Sequence, residues 1–208
     1  MQKILLIGHS YGGIIAQKFC EKYPDKVEKL ILISTLHKST AEKRRRILSQ
    51  LLYYGTYFFF SVIHPLRLEK TKKQIDYTEF VQSHDLNLKR LYHDLRVTSL
   101  NTFLPFFKEI IATDFTEMLA KLEIPVLIIH GKHDLIISLD IAENMHKLIK
   151  NSVFSVINTN HISIFNSPKE IIKLIDRFIN LEILELWREG DSYDRKYVYK
   201  KYLDIFTK

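Results

Sequence analysis

Apolar residues run in short blocks, and the spacing inside each block predicts an element. Ile4-Leu5-Leu6-Ile7 is an unbroken apolar run closed by Gly8. Runs of this length and composition are strands covered on both faces, as in parallel sheets. From Gly12 to Tyr23 the spacing changes: Ile15 and Phe19 share one face, as do Ala16 and Cys20. That predicts a helix, which Pro24-Asp25 ends. Leu30 to Ser34 is a second buried strand, so the chain opens with a βαβ unit. The rhythm then lapses from about His37 to Leu122. No buried strand flanked by turns is visible there, while Glu42 to Tyr54, Leu86 to Thr98 and Phe106 to Ala120 read as helices. The rhythm returns with Val126 to His130, introduced by Pro125 and ended by Gly131. A helix over Leu139 to Lys150 and a strand over Val153 to Ile157 follow. Pro168 suits a first helical position, and Ile171, Leu174, Ile175, Phe178 and Ile179 keep helical spacing after it. Leu181 to Lys208 is tyrosine-rich and balances six acids with six bases; it reads as helical with a break near Gly190.

Composition fits this α/β reading. The 208 residues are 46% hydrophobic and 26% charged, with only 6 Gly and 5 Pro, which excludes a disordered or fibrous chain. One cysteine, Cys20, excludes an internal disulfide framework and reads as a small core residue in a reducing compartment. The net charge is +7, and His37 to Phe80 holds nine bases against four acids. Such a run is ordinarily a solvated helical face; contact with a membrane surface or an acidic partner is the sharper alternative. No nucleic-acid-binding motif accompanies it, so nucleic acid is not expected as a partner. The start shows no signal peptide. The apolar stretch Leu51 to Ile63 has thirteen residues, short of the ~20 that span a bilayer. A cytoplasmic protein is expected. The aromatics from Tyr53 to Phe60 suit internal packing, with an apolar wall for an acyl or aromatic substrate, or a membrane-facing surface, as the alternatives.

Chemistry concentrates in Gly8-His9-Ser10-Tyr11-Gly12-Gly13. A serine hydroxyl is a weak nucleophile until a base takes its proton, and it must stand clear of the backbone for a carbonyl to reach it. A sharp strand-to-helix turn exposes it, with flanking glycines relieving the crowding. The helix that follows aims N–H groups at the site and favours developing negative charge. The acid and base should come later, in that order, beyond the ends of parallel strands. Asp134 lies just after the third strand and His161 just after the fourth. In these roles His161 takes the Ser10 proton and returns it to the leaving group, while Asp134 orients His161 and stabilises its charged form. Asp140 is the rival acid. His9 reads as packing beside the turn. His130 and His133 lack a third ligand, so no metal is expected.

These motifs are similar to those of the α/β-hydrolase superfamily. The resemblance rests on Gly8 to Gly13, on Ile124-Pro125-Val126-Leu127-Ile128-Ile129-His130-Gly131-Lys132-His133-Asp134, and on Asn160-His161-Ile162-Ser163 with Ser167-Pro168 beyond. It covers roughly Gln2 to Asn180. It implies a core made of residues 1–36 and 123–180, a helical cap over 37–122 and an unmatched tail over 181–208. It also implies a serine hydrolase that cleaves an ester, thioester or related acyl bond of a small-molecule substrate through an acyl-enzyme on Ser10, with no cofactor; the sequence of the cap adds an apolar tendency to that substrate. An acyltransferase using the same triad, and a catalytically impaired fragment or non-catalytic interaction module of the same fold, are the alternatives. In the family the nucleophile strand is the fifth of eight, whereas here only Met1 and Gln2 precede it. The resemblance therefore implies an N-terminally truncated core, with a naked strand edge and one oxyanion donor, the Tyr11 backbone N–H, in place of two. Losing one donor costs on the order of 10²–10³ in rate. A misplaced start, a split or decaying gene, or a partner that supplies the missing strands would each account for it.

Overall fold

The computed structural model describes residues 3–39, 81–90 and 100–180. Four apolar runs form strands: β1 (Ile4–His9), β2 (Val27–Ile33), β3 (Val126–Gly131) and β4 (Ser152–Ile157). They make one sheet in the order β1-β2-β3-β4, with every pairing parallel. Parallel neighbours need a crossover. Helix α1 (Tyr11–Lys22) supplies the one between β1 and β2. The long crossover from β2 to β3 ends in α2 (Leu100–Ala112) and α3 (Thr116–Ala120). Helix α4 (Leu139–Leu148) joins β3 to β4. After β4 come a short helix α5 (Ser163–Asn166) and α6 (Pro168–Asn180), which begins at its proline.

Alternation along β2 and β3 builds two cores. Leu30, Leu32, Val126 and Ile128 point to one face, where they pack with Ile14, Ala16, Cys20, Leu119, Ala142 and Met145 from α1, α3 and α4. Ile31, Ile33, Leu127 and Ile129 point to the other, against Ile171, Leu174 and Phe178 of α6. Successive side chains leave opposite sides of a strand, so strands covered on both sides must be apolar at every position. That is why these runs show no polar alternation.

β1 departs from the reading of a strand covered on both faces. Ile4, Leu5 and Ile7 are 42%, 38% and 47% exposed. The reason is position: β1 pairs only with β2 among the described residues, and an edge strand has fewer neighbours to cover it. The helix read over Phe106 to Ala120 is divided into α2 and α3. Thr113 Oγ1 donates to the Glu109 carbonyl (2.8 Å), the Phe115 N–H donates to the His37 carbonyl (2.8 Å), and Asp114 Oδ1 accepts from the Thr116 N–H (3.2 Å). These bonds divert the backbone groups that a continuous helix would use. Leu88 to Arg90 is helical. The rest of the helix read over Leu86 to Thr98, the helix over Glu42 to Tyr54, the aromatic run, most of the basic stretch and the tail lie outside the described residues. No helix among the described residues is long and apolar enough to cross a membrane.

Candidate active site

β1 ends at His9 and α1 begins at Tyr11, so Ser10 alone makes the turn. Its backbone takes φ 52° and ψ −122°, a region that costs a residue with a side chain ~1–3 kcal/mol. Neighbouring bonds hold it there. The Ser10 N–H donates to the Ile33 carbonyl (2.9 Å), and the Ser10 carbonyl accepts from the Gly13 N–H (2.9 Å) and from Thr35 Oγ1 (2.7 Å). A Cβ on Gly8 would lie 2.5 Å from the Gly12 carbonyl oxygen, and one on Gly13 would run into the Thr35 side chain. A Cβ on Gly12 would meet nothing within 4 Å. Of the glycines that flank the serine, Gly8 and Gly13 supply the relief and Gly12 does not, because α1 turns its residue 13 toward the end of β2 and residue 12 away.

His161 enters from the loop after β4, and Asp134 from the loop after β3. The Ser10 Oγ lies 2.8 Å from His161 Nε2, and His161 Nδ1 lies 2.8 Å from Asp134 Oδ2. An ionised carboxylate can only accept, so Nδ1 carries the proton and Nε2 of the neutral ring is left to accept from the serine. Asp134 is fixed through its other oxygen, which accepts from the N–H groups of Ile136 (2.9 Å) and Ile137 (2.8 Å). Its side chain has no exposed surface. Burial pushes the carboxyl up. The bonds from His161, Ile137 and Ile136 outweigh burial and hold it below the usual carboxylate range. Asp140, the rival acid, sits in the first turn of α4 and is exposed.

His161 is gripped on its backbone too. His9 Nε2 donates to the His161 carbonyl (2.9 Å), and the two rings lie 5.5 Å apart. Burial lowers the His9 pKa, which favours the neutral ring that makes this single donation. The His161 N–H donates to Asp85 Oδ1 (2.8 Å). Asp85 was not singled out by sequence, and no local motif marks it: its partner lies 76 positions away. Tyr11 carries a second link that the sequence did not announce. Its hydroxyl donates to Glu109 Oε2 and its ring packs 4.7 Å from Phe106, both on α2. Burial and the Glu109 carboxylate push the Tyr11 hydroxyl up to about 12. Its backbone N–H stands at the start of α1, among the donors that a helix leaves unused.

His130 Nε2 donates to the Ile137 carbonyl (2.9 Å), and His133 Nε2 lies 2.9 Å from Asn158 Oδ1. No group of three or more His, Cys, Asp or Glu among the described residues could hold a metal. Cys20 is 1% exposed and burial pushes its thiol up to about 11, which leaves it unreactive.

Residues 1–168 match the family model of the alpha/beta hydrolase fold. The chain belongs to the alpha/beta hydrolase fold family. Across 202 residues it is 27% identical to a proline iminopeptidase of Saccharolobus solfataricus, covering 86% of this chain and 62% of that protein. A proline iminopeptidase of Lactobacillus acidophilus is 25% identical over 199 residues, with 86% and 67% covered. The chain thus spans about two thirds of the length of these curated relatives. Among solved structures, a hydrolase of Pseudomonas aeruginosa superposes with a TM-score of 0.64 at 16% identity, covering 86% of this chain and 66% of that one. That likeness is one of fold.

Proposed function

We propose that the chain is a serine hydrolase that cleaves an ester, thioester or related acyl bond through an acyl-enzyme on Ser10. The observation that carries this reading is the unbroken line from Ser10 to His161 to Asp134, with 2.8 Å at each step. In the mechanism it supports, Ser10 Oγ attacks the acyl carbon while its proton passes to His161 Nε2. The oxyanion that forms is met by the Tyr11 backbone N–H and the positive end of α1. Collapse of the tetrahedral intermediate breaks the bond to the leaving group, which takes the proton from His161 and departs. Water then attacks the acyl-serine, gives its proton to His161, and the acid product leaves as Ser10 recovers that proton. Asp134 stays ionised throughout and stabilises the imidazolium, in keeping with a carboxyl held below its usual range. The likeness to proline iminopeptidases favours a second reading, in which the bond attacked is the amide of a prolyl peptide.

A fluorophosphonate probe tests the first step directly. Labelling should fall on Ser10, vanish in Ser10→Ala, and drop by ~10⁴-fold or more in His161→Ala. A folded wild-type protein that takes no label overturns the proposal. Turnover of short acyl nitrophenyl esters against a proline nitroanilide then separates the two substrate readings.

A further inference from the structure

We propose that Asp85 is a positioning residue. Its one carboxylate locks the loop that carries Asp134 to the loop that carries His161, and so makes the array depend on the segment inserted between β2 and β3. The inference rests on the hydrolase reading above.

Asp85 is 5% exposed, and both of its oxygens are used. Oδ1 accepts the N–H of His161 and Oδ2 accepts the N–H of Leu135, each at 2.8 Å. Leu135 directly follows Asp134. The carboxylate therefore holds the backbone of the histidine itself and the backbone next to the acid. Side chains from those same two loops must meet at 2.8 Å for Asp134 to orient His161. Bonds from backbone N–H groups to a charged carboxylate are shorter and stronger than neutral ones, and losing the acceptor would orphan two N–H groups at once.

Asp85 is held firmly enough to act this way. Arg90 Nη2 donates to the Asp85 carbonyl (2.5 Å) and Nη1 to Ser83 Oγ (3.3 Å). Asn160, next to His161, donates from Nδ2 to the Ser83 carbonyl (2.8 Å), and the Gln82 N–H donates to Asn166 Oδ1 (2.7 Å). Polar bonds do this work, since Leu86 and Leu88 of the same segment are 73% and 77% exposed. The Asp85 carboxylate bonds to the backbone of the two loops and not to Ser10. Its effect passes through the alignment of His161 and Asp134.

The test compares the full chain with Asp85→Asn and Asp85→Ala. Asparagine keeps the shape and one acceptor oxygen but turns an N–H donor toward an N–H. Three quantities are measured: thermal unfolding, the rate of fluorophosphonate labelling at Ser10, and the NMR signal of the His161 Nδ1 proton. Asp85→Asn should remain folded, label roughly tenfold to a hundredfold more slowly, as misplacements of about 1 Å do, and show a broadened or displaced Nδ1 proton. A folded Asp85→Asn that labels at the wild-type rate overturns the proposal, even if its unfolding temperature has dropped. If neither variant folds, amide hydrogen exchange on the wild type decides: the Leu135 and His161 amides should be protected, and unprotected amides overturn the clamp. A wild-type protein that takes no label overturns the hydrolase reading instead. The Nδ1 proton then decides the role of Asp85, and an unchanged signal in Asp85→Asn overturns it.

Discussion

Ser10 keeps an uncommon backbone conformation because the Ile33 carbonyl of β2 and Thr35 just beyond it hold it in place while Gly8 lets α1 come close. The two glycines of the serine motif should therefore respond differently to the same methyl group. Gly8→Ala forces a Cβ to within 2.5 Å of the Gly12 carbonyl and 2.6 Å of the Gly13 Cα. Backbone atoms cannot step aside as a flexible side chain can, so a loss of ~1–3 kcal/mol is expected, as in other overpacked sites, with slower labelling of Ser10. Gly12→Ala meets open space inside a helix. It should leave the unfolding temperature unchanged or raise it, because alanine is the better helix former by up to ~1 kcal/mol. Thermal unfolding of the two variants checks this, and equal losses would contradict it. The motif was legible because it is local: strand, turn and helix lie within a few residues of Ser10. Asp134 and His161 were legible because the order of strands places them. Thr35 and Asp85 were not, since their bonds to Ser10 and His161 join positions 25 and 76 apart with no spacing rule between them.

Elements were read well where one period dominates and poorly where the environment decides. The runs in β2 and β3 are apolar at consecutive positions, and only burial on both faces explains that. The run in β1 looks the same, yet hydropathy holds no record of how many neighbours a strand has. The break between α2 and α3 was missed because Thr113 and Asp114 turn the chain through side-chain bonds, which helical periodicity does not register. That break also ties the end of the insertion to the exit from β2, through the Lys38–Asp114 bridge and an ion pair at 3.1 Å. The Asp114 carboxyl is lowered from 3.8 to about 2, chiefly by the bond from Thr116, with burial opposing and Lys38 helping. A folded-state value below the unfolded one gives stability that is complete above 3.8 and lost as pH falls through about 2. The side chain is 42% exposed, so solvent screening keeps the effect small. Asp114→Asn should unfold at a lower temperature than wild type near neutral pH, and the gap should close across that acid window. A gap that stays constant with pH would assign the loss to the bridge geometry and not to the charge.

At the scale of the molecule, every strand delivers something to one end of the sheet. Ser10 follows β1, Thr35 follows β2, Asp134 follows β3 and His161 follows β4. The connection from β2 to β3 adds Asp85 to the same end. Parallel strands make this convergence automatic, since all their carboxyl ends point one way. Among the described residues, the strand that carries the serine lies at the edge of the sheet. β1 pairs with β2 on one side, and no described strand covers its other side, where Ile4, Leu5 and Ile7 keep substantial exposed surface. An apolar edge strand without a proline or an inward-pointing charge is a template for pairing with another chain. The 208-residue chain should therefore self-associate as its concentration rises, with β1 as the contact. Ile4→Lys places a charge on that edge, at the end of β1 remote from Ser10, in a side chain already 42% exposed. It should weaken association severalfold in sedimentation experiments while costing less than ~1 kcal/mol of stability, the range of surface substitutions. A wild-type chain that stays monomeric at every concentration, or a variant that associates as strongly, would remove β1 as the contact.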